Sequence, residues 1–174
     1  SRPSQQKNGL TPLPGSAESL IEIDWESNIV WQHHNKFLHH DFQRLDNGNT
    51  IVLAWEELPK DLVKTIQGGY ESSIEPRLMF GDVIQEINHL NQVISKWSIW
   101  ENLNVKDDVI CPLEDRRAWT HTNSIEINSD GDFLLSHRQI DTVSVLSNST
   151  GSFIWKWGRD KLSHQHDARY LTNG

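Results

Sequence analysis

The sequence predicts an all-β chain, a β-propeller fragment of about three four-stranded blades, and three observations carry that expectation. A histidine, an alternating strand and an Asn-Gly or Asp-Gly turn recur as a unit from His40, from His121 and from His166. A second pattern, two alternating strands about a turn with a tryptophan on the second, recurs at 19–32, 82–97 and 141–157 and carries Trp31, Trp97 and Trp155. The chain also holds eight Trp, and aromatic residues favour strands. Short strands grouped in fours at intervals of roughly 40–50 residues are a propeller signature.

Along the chain, residues 1–17 are polar and contain Pro3, Pro12, Pro14 and Gly15, which reads as a linker or crossing loop. Residues 18–174 read as the propeller portion, in units of 18–56, 82–138 and 141–174, each a tryptophan hairpin followed by a histidine hairpin. Period-two alternation bounded by turn residues marks half-buried strands. Residues 56–81 and 101–120 are long insertions, and Leu58, Leu62, Val63 and Ile66 place a short helix in the first. Such insertions usually gather on one face, often the binding face. The third unit lacks its final strand, and closure takes roughly four to eight blades. The sequence therefore reads as about half of a larger ring, with open edges that disfavour folding alone.

Of 174 residues, 36% are hydrophobic and 23% charged, an ordinary globular composition with enough chain for one sizeable core. A formal net charge of −8 argues against a nucleic-acid partner. No apolar run reaches the roughly 18 residues of a membrane span. Cys111 is the sole cysteine, so no internal disulfide is expected. These features do not place the compartment, and a homo-oligomer stays open.

In a propeller, rotation about the axis brings equivalent positions of successive blades to one channel mouth. His40, His121 and His166 are therefore expected to converge despite lying up to 126 residues apart (166 − 40). Antiparallel pairing about the turn at 128–131 sets Arg138 opposite His121, at the same end of the unit. Three imidazoles and a guanidinium suit an anion with tetrahedral oxygens, Arg through its donor fork and His⁺ through charge near neutral pH. Two histidines of different pKa can divide nucleophile and acid roles. Other readings stay open: the strand-opening histidines, with Asp41 and Asp167 after them, can simply bond a turn, and three histidines can ligate a metal, which Arg138 disfavours. His39 and His164 compete for the same roles. His33, His34, His89 and His137 fit no repeat position and read as solvated. The tryptophans read as packing between blades, except Trp55 and Trp119, which fall near the expected channel mouth.

Four blocks carry a resemblance: Leu38-His-His-Asp-Phe with Leu45-Asp-Asn-Gly-Asn, Trp119-Thr-His-Thr-Asn-Ser-Ile with Leu135-Ser-His-Arg, Thr150-Gly-Ser-Phe-Ile-Trp-Lys-Trp-Gly, and His164-Gln-His-Asp-Ala-Arg. Over most of 19–174 the chain resembles the bacterial arylsulfate sulfotransferases, and the block from Trp119 is its most specific part. The resemblance implies a six-bladed propeller that moves a sulfuryl group from an aryl sulfate to a phenolic acceptor. It implies no nucleotide sulfate donor, no cofactor and no metal, and a periplasmic or extracytoplasmic setting. It maps the nucleophile that takes the sulfuryl group to His166, and the supporting donors to His121, His40 and Arg138. Asn123, Trp55, Trp119, His39 and His164 are then the substrate-binding candidates. A non-catalytic propeller used as a scaffold and a His-ligated metal hydrolase are the alternatives.

Overall fold

The computed structural model describes residues 13–73 and 77–171. Strand makes up 46% of the chain against 7% helix, so the protein is all-β, as the alternation predicts. In order, the strands are β1 Ser19–Ile23, β2 Ile29–His34, β3 Leu38–Arg44, β4 Thr50–Glu57, β5 Gly68–Tyr70, β6 Phe80–Ile87, β7 Val93–Ser98, β8 Ile110–Asp115, β9 Thr122–Ile127, β10 Phe133–His137, β11 Thr142–Leu146 and β12 Phe153–Trp157. The short helix expected in the first insertion is α1, Lys60–Val63. Single 3₁₀ turns cover Ile99–Asn102 and Arg138–Ile140.

Two antiparallel four-stranded sheets, β3-β4-β6-β7 and β9-β10-β11-β12, form the body, with the hairpin β1-β2 and the small parallel pair β5-β8 beside them. The hairpin turns follow from their sequence. Gly48 and Gly131 adopt φ of 83° and 85°, and the Asn47 and Asn128 side chains accept hydrogen bonds from the amides two residues on. The strands group one hairpin later than the sequence reading sets them. Each sheet opens with the histidine hairpin and continues into the following tryptophan hairpin. Along the whole of β4, from Thr50↔Ile87 to Glu57↔Phe80, the partner is β6, across the insertion at 58–79. Loop-closure entropy rises only slowly with loop length, so the long insertion does not forbid this pairing.

The main core lies between the two sheets. Ile51, Leu53 and Ile84 from the first, with Ile99 from the 3₁₀ turn after β7, meet Ile125, Phe133, Leu135 and Leu146 from the second. Each such side chain contributes about 1.5–3 kcal/mol by leaving water. Trp97 joins the sheets as expected, its ring 4.9 Å from Phe133 and its indole N–H donating to Asn148 O. Trp31 packs against the cluster of Leu38, Val52 and Ile87. Trp155 and Trp157 do not pack between sheets. They are 47% and 52% exposed and line an apolar groove of about 620 Å³ with Val143, Val145 and Leu134.

The two sheets meet through their first strands. Ile125 N–H donates to Asp41 Oδ2 and Ile127 N–H to Gln43 Oε1. Residues 163–171 run along β9 in the same manner, with Ala168 N–H donating to Ser124 Oγ and Tyr170 N–H to Glu126 Oε2. This segment is not a strand, unlike the expectation for the third copy, and among the described residues it has no hairpin partner. Of the expected linker or crossing loop, residues 13–17 pack onto the sheets: Leu13 is buried against Trp55 and Ala118, and Ala17 N–H donates to Leu38 O at 2.7 Å. Two histidine expectations are corrected. His33 and His137 are not solvated but buried, His137 completely, bonded to Thr122 Oγ1 and Ser144 Oγ. Residues 1–12, 74–76 and 172–174, including most of the expected linker and the Asn173-Gly174 turn, lie outside the described residues.

Candidate functional site

His40 and His121 stand at the ends of β3 and β9 that face one another, and both hold left-handed backbone, with φ of 48° and 51°. For a bulky residue that conformation costs about 1–2 kcal/mol, and such strain gathers at functional sites. Their Nε2 atoms lie 3.1 Å apart. Gly15, at φ of 80°, passes directly beneath His40, and a methyl group there would run into the imidazole. His40 N–H donates to Gly15 O, so the segment at 13–17 fixes this ring from behind.

Arg138 sits where antiparallel pairing places it. Its backbone N–H donates to His121 O at 3.2 Å, although it opens the 3₁₀ turn after β10 rather than ending the strand. His40, His121, His166 and Arg138 line one cavity of about 420 Å³. The four residues expected to converge therefore line the same cavity. The cavity also takes Tyr70, Glu114, Asp115 and Arg117 from the insertions. Glu114 Oε2 holds the Arg138 guanidinium at 2.7 Å, and Asp115 Oδ2 accepts from Arg117 Nε at 2.9 Å. Sequence reading missed this second guanidinium. Its signal was the Arg116-Arg117 pair just upstream of the Trp119 block.

The third copy of the repeat is corrected. His164, with φ of 49°, is the backbone equivalent of His121, at an offset of 43 (164 − 121). The same offset relates Ala168 to Ile125 (168 − 125) and Tyr170 to Ile127 (170 − 127), the residues whose amides bond the neighbouring strand. By that offset His166 stands where the second sheet has Asn123. His164 is not among the lining residues; its Nε2 lies 3.3 Å from both Glu114 Oε1, which is, and Cys111 Sγ. His166 is exposed, and its Nδ1 lies 3.0 Å from His164 O. A carbonyl only accepts, so Nδ1 carries the proton and Nε2 keeps a free lone pair.

Other expected substrate contacts resolve differently. Asn123 is buried and donates from Nδ2 to Gln165 O at 2.8 Å, which ties down the segment bearing His166. Trp119 is wholly buried in the cluster with Leu58, Ile66 and Ile140, its N–H donating to Asp108 O. Trp55 is 5% exposed and stacks at 3.8 Å on His39, so it supports the histidines from beneath. His39 is buried, its Nδ1 3.0 Å from His40 Nδ1 and its Nε2 3.3 Å from Asp82 Oδ1.

His40 and His121 are held neutral near pH 7, so those two do not supply the expected His⁺ charge. Burial, with His166 and Arg138 adding, lowers His40 to about 4 even though its outer edge faces the cavity. Burial, with His40 and Arg138 adding, lowers His121 to about 3. The fixed positive charge therefore comes from Arg138 and Arg117, each countered by a carboxylate. Among the described residues, no three His, Cys, Asp or Glu side chains are disposed to hold a metal ion.

The all-β chain thus brings two guanidiniums, the lowered imidazoles of His40 and His121 and the exposed His166 to one cavity. The arylsulfotransferase (ASST) family model matches residues 16–174, and the chain belongs to this family. That membership supports arylsulfotransferase activity in general and small-molecule substrates. No curated protein matches the chain. No helix among the described residues is long and apolar enough to cross a membrane.

Proposed function

We propose that this protein moves a sulfuryl group from an aryl sulfate to a phenolic acceptor through a covalent intermediate on His166. The observation that carries the reading is the His166 ring: Nδ1 is committed to His164 O, and the free Nε2 belongs to a residue lining the cavity with His40, His121 and Arg138. In the first half-reaction Nε2 attacks sulfur, an N–S bond forms, and the S–O bond to the aryl group breaks with its electron pair leaving on the phenolate. Arg138 and the imidazole N–H donors stabilise charge on the sulfuryl oxygens and on the phenolate, which is where preorganised donors act most strongly. In the second half-reaction the acceptor phenol oxygen attacks sulfur and the N–S electrons return to His166. One proton reaches the first phenolate and one leaves the second phenol, so the exchange balances. No nucleotide donor is required.

The repeated side-chain-to-backbone bonds between β3, β9 and the 163–171 segment support a rotational arrangement, and hence the propeller reading. In that reading the exposed face of β11 and β12, with Trp155 and Trp157, and the exposed Ile21, Ile23, Ile29 and Val30 of β1-β2 are surfaces that further blades cover. The test is transfer from 4-nitrophenyl sulfate to phenol by the full-length protein. Nitrophenol release that accelerates with phenol and vanishes in His166→Ala supports the reaction. Release that is indifferent to phenol and to His166 refutes it.

A further inference from the structure

Glu114 comes from the second insertion and puts a carboxylate into the cavity that the proposed reaction fills with an anion. Like charges repel at close range, so this carboxylate works against ground-state binding of an aryl sulfate. Its contacts show what it does instead. Oε2 pairs with Arg138 Nη1 at 2.7 Å, and among the described residues Glu114 is the one ion-pair partner of that guanidinium. Oε1 lies 3.3 Å from His164 Nε2. His164 O in turn accepts from His166 Nδ1 at 3.0 Å, and His164 N–H donates to Asp141 Oδ1 at 2.8 Å. One carboxylate thus stands between the guanidinium of the second sheet and the segment that carries His166.

The backbones beneath this pair are fixed. β8 runs so close to β5 that a methyl group on Gly69 would lie 3.0 Å from Glu114 O. Asp115 O accepts from Gln139 Nε2, so the residue after Glu114 is tied to the residue after Arg138. Arg138 N–H donates to His121 O. What remains to be ordered is the long Arg138 side chain, whose rotamer freedom must be given up before its planar fork can address an oxyanion.

Resting on the sulfotransfer reading above, we propose that Glu114 is a positioning residue, which aims Arg138 at the sulfuryl oxygens and ties it to the His164–His166 segment that presents the nucleophile. The carboxylate counters part of the guanidinium charge and so weakens the hold on the aryl sulfate before reaction. The donor fork meanwhile keeps one direction, and a preorganised donor acts most strongly where charge shifts in the transition state. Glu114 moves no proton and touches no reacting atom.

Two variants separate charge from reach. Glu114→Gln keeps the shape and an acceptor oxygen for Arg138 and loses the charge. Glu114→Asp keeps the charge and is one methylene too short to span from Arg138 to His164. The first readout needs no reaction: calorimetric binding of 4-toluenesulfonate, whose sulfur is bonded to carbon and is not transferred, to the full-length protein. Binding should tighten by about two- to five-fold in Glu114→Gln, the scale of a partly exposed charge pair, and keep its wild-type value in Glu114→Asp. The second readout is the burst of nitrophenol from 4-nitrophenyl sulfate without acceptor. Its limiting rate should fall by about 10²-fold in both variants, the cost of an ångström-scale displacement, while its amplitude stays that of the wild type. A merely structural role would lower the amplitude with the folded fraction and leave the rate and affinity of the folded protein alone. Sulfonate binding that is unchanged or weaker in Glu114→Gln, or a limiting rate that neither variant lowers, overturns the proposal. A wild type that gives no burst, with sulfonate binding still tightened in Glu114→Gln, counts against the reaction and upholds the coupling of Glu114 to Arg138.

Discussion

Lowering the pH should destabilise this fold steeply, because it buries neutral imidazoles. His39, His121 and His137 are each 6% exposed or less. Desolvation is the first cause of all three lowered values, with His137 at about 3, His121 at about 3 and His39 well below the ordinary 6.5. Below pH 6.5 the unfolded chain takes up a proton at each position and the folded chain does not. Their stabilisation is therefore complete above 6.5 and is lost as pH falls toward the folded values. Asp82 acts in the opposite sense, since burial raises it to about 6 and the folded state takes its proton first. Three histidine protons against one carboxylate proton leave two, or about 2.7 kcal/mol per pH unit between pH 6 and 4, at about 1.36 kcal/mol per proton. That is a large fraction of the roughly 5–15 kcal/mol holding a domain together. Urea unfolding of the full-length protein, followed by tryptophan fluorescence at pH 7, 6 and 5, measures it. His137→Gln keeps partners for Thr122 and Ser144 and removes one titration, so its slope should be shallower by about 1.4 kcal/mol per pH unit. Stability that is flat or rising from pH 6 to 5 would refute the reasoning.

Other perturbations have equally definite outcomes. Gly15→Ala should lose about 1–2 kcal/mol from left-handed strain alone, and it should lower turnover by displacing His40, both seen by comparing Tm with the rate of nitrophenol release. Arg138→Ala should reduce kcat/KM by about 10²–10³-fold, as for a lost oxyanion donor, and should leave Glu114 without its cation; an unchanged rate would remove Arg138 from the chemistry. Phe133→Ala empties a site 1% exposed beneath Trp97, and denaturant titration should show a cost of about 3–5 kcal/mol.

Much of the fold was legible because it is written in local periodicity. Alternation located the strands, and Asn-Gly or Asp-Gly located the turns at Gly48 and Gly131. Which hairpins share a sheet was not legible, since β4 pairs with β6 across a long insertion while β2, close in sequence to β3, pairs only with β1. At the site, His40, His121, His166 and Arg138 share one cavity as expected, but equivalence between repeats did not place His166 there. The repeat reading misnumbered the third copy because His164 and His166 flank one glutamine and only the backbone angle distinguishes them. Trp119 is dense with family signal yet serves the core, because its block is conspicuous for the histidine it precedes. Glu114 and Arg117 were not placed at the cavity, because their position there depends on how an insertion folds back. Asp82, the third residue of β6, is an ordinary aspartate in sequence, and its burial behind His39 exists only in three dimensions.

The direct measurement of the central claim is the mass of the His166 peptide after a single turnover. The full-length protein is mixed with an aryl sulfate in the absence of any phenolic acceptor, quenched under conditions that preserve N–S bonds, digested and mapped. One sulfuryl group on His166, discharged on adding phenol and absent from His166→Ala, is the expected result. A modification on another residue, or none while transfer proceeds at its full rate, would contradict a sulfohistidine at this position.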